Sequence, residues 1–383
     1  MKKNDKMIFI CLLASLVLVG CWDMVEIDRR LFVGLVGIDV SSDPNKYTFH
    51  FSIPIAREIM GGEGGGGGGG VGGESVSQIT TEAYSLTDAA RNLALRINRD
   101  IYFEHMRVVV FSEDVARRGF ENVLNDFARQ PELNRRSRIA ICEGKAEKVM
   151  QVKPWVEKLK AEYMESLYAA RAKSGKFIEM DLGDFFRNLY SQNGNTLVSK
   201  ICPDSTEVNI GGAGVIKDFK FIGWLNEEET QGVNFFLGKV RGGEIVAEDI
   251  GGTGTVTFTI LGEKAQLSLK KAEPIPEFDF KAYVTGDIAS TSHAVTYDHD
   301  KLGTKYIEEL EKVISEEIKA QILKGIKRLQ EDYRVDLLKL NEHLKKYRPD
   351  LWKIYEEDWE DIFPQVSIEV DVKTSIKNVG ILR

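Results

Sequence analysis

The residue with the clearest chemistry in this sequence is Cys21, which closes the run Leu18-Val19-Gly20-Cys21. A thiol in this setting is the nucleophile that takes a diacylglyceryl group, and Gly20 leaves room for a peptidase to cut beside it. Upstream lie a basic start, Met1-Lys2-Lys3-Asn4-Asp5-Lys6, and an apolar run from Met7 to Val19 broken only by Cys11 and Ser15. Thirteen residues of helix reach about 20 Å, short of the roughly 30 Å bilayer core. A basic opening, a short apolar run and a small residue before the cut are the parts of a secretory signal. The four residues resemble a lipobox. The expectation is a lipoprotein signal peptide over 1–20, cleavage between Gly20 and Cys21, and lipid attachment at Cys21. The bland alternative is an ordinary signal peptide with an incidental Cys. Two acyl chains suffice for stable anchoring, where one is marginal.

No other constellation carries comparable chemistry. The five His are His50, His105, His293, His299 and His343, and none stands in a His-Glu-x-x-His arrangement. Asp298-His299-Asp300 has metal-binding residue types but lacks a second spaced cluster, so it reads as a polar loop. The stretch 61–73 holds 11 Gly in 13 positions. A phosphate cradle would need Gly-Lys-Ser/Thr, but the Gly-Lys pairs here precede Ala146, Phe177 and Val240, so the stretch reads as a loop or linker. Gly212-Ala213-Gly214 begins like a dinucleotide loop, yet strands follow it and no helix does. There is no Gly-x-Ser-x-Gly elbow. The residues therefore predict no catalytic site, no metal site and no cofactor.

The totals agree with an exported body. The chain has 383 residues, 43% hydrophobic and 29% charged, at net −8. That length suggests two or three domains. Residues 1–20 carry three Lys and one Asp, so the chain from Cys21 onward stands at −10. An acidic body argues against a nucleic-acid partner and against electrostatic adhesion to anionic lipid. Cys142 and Cys202 can form one disulfide or stay as two separate buried thiols, and spacing does not decide between them.

Periodicity then places the elements. Leu31–Asp39 and Tyr47–Ile53 read as a strand pair around the turn Ser41–Asn45. Ser85-Leu86-Thr87-Asp88 opens a helix. Strands follow near Met106–Phe111 and Arg138–Cys142, with one helix between them over Glu113–Arg129. Helices follow near Trp155–Ala172 and Leu182–Tyr190. The middle is β-rich, with separate strands expected over Thr255–Leu261 and Ala265–Leu269. A long helix over Thr304–Tyr333 has its apolar residues three or four apart, and Val366–Val372 alternates as a strand. The fold class expected is α+β in three consecutive domains, each a mixed or antiparallel sheet with helices around it. The first runs over 21–195 with the Gly-rich loop 61–73, the β-rich second over 196–275, and the third over 276–383.

Several blocks resemble one family. Gly20-Cys21-Trp22-Asp23, Glu26-Ile27 and Phe32-Val33-Gly34-Leu35-Val36-Gly37-Ile38-Asp39 are similar to the opening of the spore germination lipoproteins, the C subunits of nutrient germinant receptors. So are Ile101–Glu113, Gly212–Asp218, Gly223–Thr230, and the series Gln330, Asp336, Pro349, Trp352, Trp359, Phe363-Pro364 and the strand to Gly380. Two departures stand out. The Gly-rich stretch is unusual for the family, and Val335-Asp336-Leu337-Leu338 replaces a Gly-containing aromatic turn.

The resemblance implies a lipid-anchored protein on the outer face of the cell or spore inner membrane. It implies assembly with two membrane subunits of a germinant receptor and no catalytic activity, and it leaves direct nutrient binding open. Two rivals remain at this point. A lipid-anchored extracytoplasmic solute-binding protein of a transporter would bury its ligand between two lobes. A surface enzyme would carry strongly perturbed titratable groups in a cleft.

Overall fold

The structure is a computed structural model, and it describes residues 30–54, 76–130, 132–154, 157, 159–204, 206–248, 254–291 and 304–379. Gly20, Cys21, the stretch 61–73 and Asp298-His299-Asp300 lie outside the described residues. The first part of the chain runs β1 (Arg30–Phe32), β2 (Leu35–Val40), β3 (Tyr47–Pro54), β4 (Val76–Ala83), α1 (Leu86–Ile97), β5 (Asp100–Tyr102), β6 (Val108–Ser112), α2 (Glu113–Arg118), α3 (Glu121–Ala128) and β7 (Arg138–Cys142). It continues with α4 (Ala146–Gln151), α5 (Lys160–Arg171), α6 (Leu182–Ser191), β8 (Thr196–Pro203), β9 (Val208–Lys217), β10 (Lys220–Leu225) and α7 (Glu227–Phe236). Eight of these strands form one sheet in the order β10-β9-β8-β7-β6-β2-β3-β4.

The centre of that sheet is parallel: β2 pairs with β6, β6 with β7 and β7 with β8. Both faces of a parallel centre must be covered, and they are. Val36, Ile38, Val109, Phe111, Ile139 and Ile141 face the helices that contribute Leu86, Val115, Leu124 and Phe185. Leu35, Val108, Val110, Ala140 and Cys142 face α4 and α5 through Val149, Met150 and Met164. This two-sided burial is why β2, β6 and β7 read as apolar runs with little alternation.

The second part runs β11 (Glu244–Glu248), β12 (Thr255–Lys271), β13 (Glu277–Thr291), α8 (Thr304–Lys327), a π-helical turn (Arg328–Tyr333), α9 (Leu340–Tyr347), α10 (Pro349–Tyr355), α11 (Trp359–Ile362) and β14 (Ser367–Val379). The four strands stand in numerical order, antiparallel except that β14 runs parallel to β13. A parallel return needs a crossover, and α8 supplies it. Leu310, Ile314, Ile318, Ile322 and Ile326 recur every fourth residue and are all buried.

The α+β class holds, but the expected boundaries do not separate the sheets. The boundary at 195/196 falls inside the eight-stranded sheet, because β8 pairs with β7 across it. The boundary at 275/276 falls inside the β12–β13 hairpin, whose register closes at Lys271↔Glu277. Turn-forming residues mark both places, and here they make connections within a sheet. The helix expected over Glu113–Arg129 is two helices. Gly119 sits between them at φ +113°, and the next amide, Phe120 N, donates to Phe219 O at 2.9 Å, which draws the chain out of helical line. Thr255–Leu261 and Ala265–Leu269 are one strand, because a register shift between Ile260 and Gly262 absorbs the interruption.

Candidate functional site

The two parts meet at α7. Its residues Thr230–Phe236 are all buried, although its first turn is Glu-rich. Asn226 caps it in a reciprocal box: Glu229 N donates to Asn226 Oδ1 at 2.8 Å and Asn226 N to Glu229 Oε2 at 2.8 Å. The helix lies against α8 backbone to backbone. A Cβ on Gly232 would fall 2.0 Å from the Gln321 carbonyl oxygen, and one on Gly325 would fall 2.8 Å from Glu229 O. Only glycine permits such an approach.

Residues that resembled the family one block at a time converge just beyond this crossing. The Tyr333 hydroxyl donates to Trp224 O at 2.8 Å and lies where a Cβ on Gly223 would go. Gln330 Nε2 donates to Phe363 O at 3.0 Å and Val366 O at 2.9 Å. The chain then turns at Arg334, φ +51°, and delivers Asp336. Its carboxylate accepts from Leu340 N at 3.2 Å, Asn341 N at 2.8 Å and Trp359 Nε1 at 3.1 Å. Burial pushes the Asp336 carboxyl above its ordinary value despite those donors. Gln330, Asp336, Trp359 and Phe363 thus form one knot that ties α8 to the chain entering β14. Beside it, Arg334, Asp218, Trp352 and the turn Ser191–Asn195 line a cleft of about 150 Å³.

A second polar assembly sits at the carboxyl ends of the parallel strands, where open α/β sheets receive ligands. Here the place is filled from within. Asp39, ending the apolar run of β2, accepts from Ala146 N and Glu147 N, both at 2.9 Å. His50 Nε2 lies 3.0 Å from Asp39 Oδ2, the oxygen that also accepts from Glu147 N, and His50 Nδ1 lies 3.0 Å from Thr80 Oγ1. Burial alone would raise the Asp39 pKa, but the bonds from His50 and the two amides outweigh it and hold the carboxyl below its usual value. The hydroxyl, imidazole and carboxylate are the residue types of a nucleophile relay. Their geometry is that of a brace, since the carboxylate is committed to the start of α4.

The remaining candidates are dispersed. Both Cys142 and Cys202 are free thiols. Burial pushes Cys142 up to about 12 and Cys202 up to about 11, so neither is a thiolate nucleophile near neutrality. His105 packs edge-on against Phe32 at 4.7 Å, and His343 against Phe278 at 5.8 Å. Gly212–Lys217 lies within β9. Sequence reasoning missed Asp39, His50 and Thr80 as a set. They stand 11 and 30 residues apart, and only the strand register brings them together.

Among the described residues no helix is long and apolar enough to cross a membrane. A family model described as "Spore germination protein N-terminal domain" matches residues 23–201. A second, "Spore germination B3/ GerAC like, C-terminal", matches 211–380. The chain is 24% identical to spore germination protein B3 of Bacillus subtilis strain 168, over 95% of each chain. It is 23% identical to spore germination protein KC of the same organism, over 97% of this chain and 94% of that one. The crystal structure of the GerBC protein matches with a TM-score of 0.60 at 21% identity, over 90% of this chain and 97% of that one, which shows a shared fold. With both halves matched in order, the chain belongs to the GerAC-type family of spore germination proteins.

Proposed function

We propose that this protein is a lipid-anchored subunit of a nutrient germinant receptor, held at the outer face of the cell or spore inner membrane through Cys21. There it supports nutrient-triggered germination by assembling with two membrane subunits. The observation that carries this reading is the run of family matches from residue 23 to residue 380, which begins two residues after the proposed lipid site. Its physical contribution is a docking surface. A lipid tether turns association with membrane partners into an encounter at high effective concentration. The knot around Asp336 and the α7–α8 crossing keep the two sheets in fixed relation, so a partner meets one surface. The carboxylate brace at the strand ends has the geometry of scaffold, which favours assembly over catalysis.

The test uses spores of the source organism lacking this gene. The loss of optical density is followed after single nutrients, with a nutrient-independent trigger as control. Loss of the response to one nutrient class, with the control intact, is the expected outcome. The Cys21→Ala strain should then lose the protein from the membrane fraction and reproduce the defect. Unchanged responses to every nutrient, in a strain lacking related receptors, would overturn the reading.

A further inference from the structure

An edge strand presents unpaired N–H and C=O groups, and proteins normally cover or charge such edges. Most edges here follow that rule. On β10, Trp224 O takes the Tyr333 hydroxyl. On β14, Thr374 N donates to Ser315 Oγ at 3.1 Å and Ile376 N to Glu311 Oε1 at 2.8 Å, both from α8. The strand β11 is only five residues long, with Glu at both ends. Past the end of β11, the open half of β12 carries Lys264, Lys270 and Lys271.

The edge at β4 is different. Its eight residues, Val-Ser-Gln-Ile-Thr-Thr-Glu-Ala, contain no Lys, Arg or Pro, and it pairs with β3 without a register shift. Its one charge, Glu82, accepts from the Ser41 hydroxyl at 3.0 Å. The outward side can be read from two bonds. Thr80 O accepts from Arg96 Nη2 at 3.1 Å, and Tyr84 N donates to Asp88 Oδ2 at 3.1 Å. Backbone groups alternate along an antiparallel strand, so Gln78, Thr80 and Glu82 face away from β3. Their amides have no acceptor among the described residues. Tyr84, at the end of the strand, is 61% exposed, and Leu95, beside Arg96 on α1, is 86% exposed.

We propose that β4 is where a partner protein adds an extended strand to the eight-stranded sheet. The inference rests on the docking reading above and gives it a location. The mode is strand addition, in which main-chain bonds supply affinity and alternate side chains supply specificity. The charge around the edge states the chemistry of the occupant. Arg96 on α1 reaches this edge at Thr80 O and has no carboxylate at ion-pair distance among the described residues, in a chain that is acidic overall. A partner segment with carboxylates among its exposed positions satisfies the outward amides of β4 and the Arg96 guanidinium together. A second copy of this chain would bring the same guanidinium to both sides of the joint.

The test places a photo-cross-linking residue at positions 78, 80 and 82 of the full-length protein, with position 371 on β14 as control, in cells assembling the receptor. The expected result is a ladder. The three sites cross-link to residues two apart along one segment of one membrane subunit, and position 371 does not. Gln78→Pro supplies an independent reading, because it removes an outward N–H that β3 does not use. Its melting temperature should stay within a few degrees of the parent, while recovery of the co-purified receptor falls at least tenfold. Three results overturn the proposal: cross-links confined to this chain's own residues 55–75, cross-links between two copies, or an intact receptor with no ladder and no effect of Gln78→Pro. In the last case the docking reading survives elsewhere on the surface. If the parent chain co-purifies with no membrane subunit, both readings fail.

Discussion

Asp39 and Asp336 do the same job in the two halves of the molecule with opposite electrostatic outcomes. Each reaches into the start of a helix and accepts two backbone N–H groups and one ring N–H. Asp39 is held below its ordinary pKa, and Asp336 is pushed above it. The balance differs: at Asp336 desolvation outweighs the donors, whereas at Asp39 the bonds from His50 and the two amides outweigh desolvation. A third carboxylate, Glu263, has only Val240 N, at 3.1 Å, among the described residues, and burial pushes it up to about 8. The three form a series. The balance of burial against donated hydrogen bonds sets whether charge is tolerated at each.

The largest effect should come from removing Asp39. Asp39→Ala leaves the Ala146 and Glu147 amides and the His50 ring without an acceptor. At about 1–3 kcal/mol for each unsatisfied buried group, the loss should be on the order of 3 kcal/mol, read as a lower urea midpoint with an unchanged slope. A folded pKa below the unfolded one means that this stability is present above about pH 4 and is lost as pH falls further. The deficit of the variant should therefore shrink only in strong acid. A deficit under 1 kcal/mol at pH 7 would break the comparison.

Asp336→Asn should cost less, about 1 kcal/mol, since the amide keeps one acceptor and removes a desolvated charge. Here the sign reverses. A raised folded pKa contributes stability that is full below the unfolded value and declines as pH rises through the folded one. The deficit of this variant should be greatest in mild acid and shrink toward neutrality. Urea titrations of both variants between pH 4 and pH 8 check this. Parallel profiles would show that the two carboxylates are alike after all.

Glu263→Gln sharpens the series at its weak end. The parent loses stability as pH rises toward about 8, and glutamine cannot ionise. The variant should come nearest the parent below about pH 4.5 and exceed it increasingly as pH rises through about 8, seen as a higher melting temperature at pH 9. Equal melting temperatures at pH 9 would mean that Glu263 ionises without cost.

How much of this was legible in the sequence follows from the range of each signal. The cap at Ser85 is local and read correctly: Asp88 N donates to Ser85 Oγ. The period of α8 is strong over five turns. The series Gln330, Asp336, Trp359 and Phe363 was visible as a resemblance, but nothing in its spacing says that these side chains meet. Asp39 looked like the end of a strand before a turn. Its function depends on amides 107 and 108 residues later, a distance over which periodicity is silent. The same limit explains the boundaries. Gly and Asn near residue 195 signal a turn wherever they fall, and only pairing between β7 and β8 reveals that the sheet continues through it.

The pairing of β3 with β4 has a practical consequence. Its register ends at Pro54↔Val76, so the two residues that flank positions 55–75 are fixed side by side by the sheet itself. Doubling the number of residues between such ends costs on the order of 0.6 kcal/mol in closure entropy. The sheet thus offers an insertion port, where an epitope or fluorophore-binding peptide can be spliced into the chain while both flanking strands keep their partners.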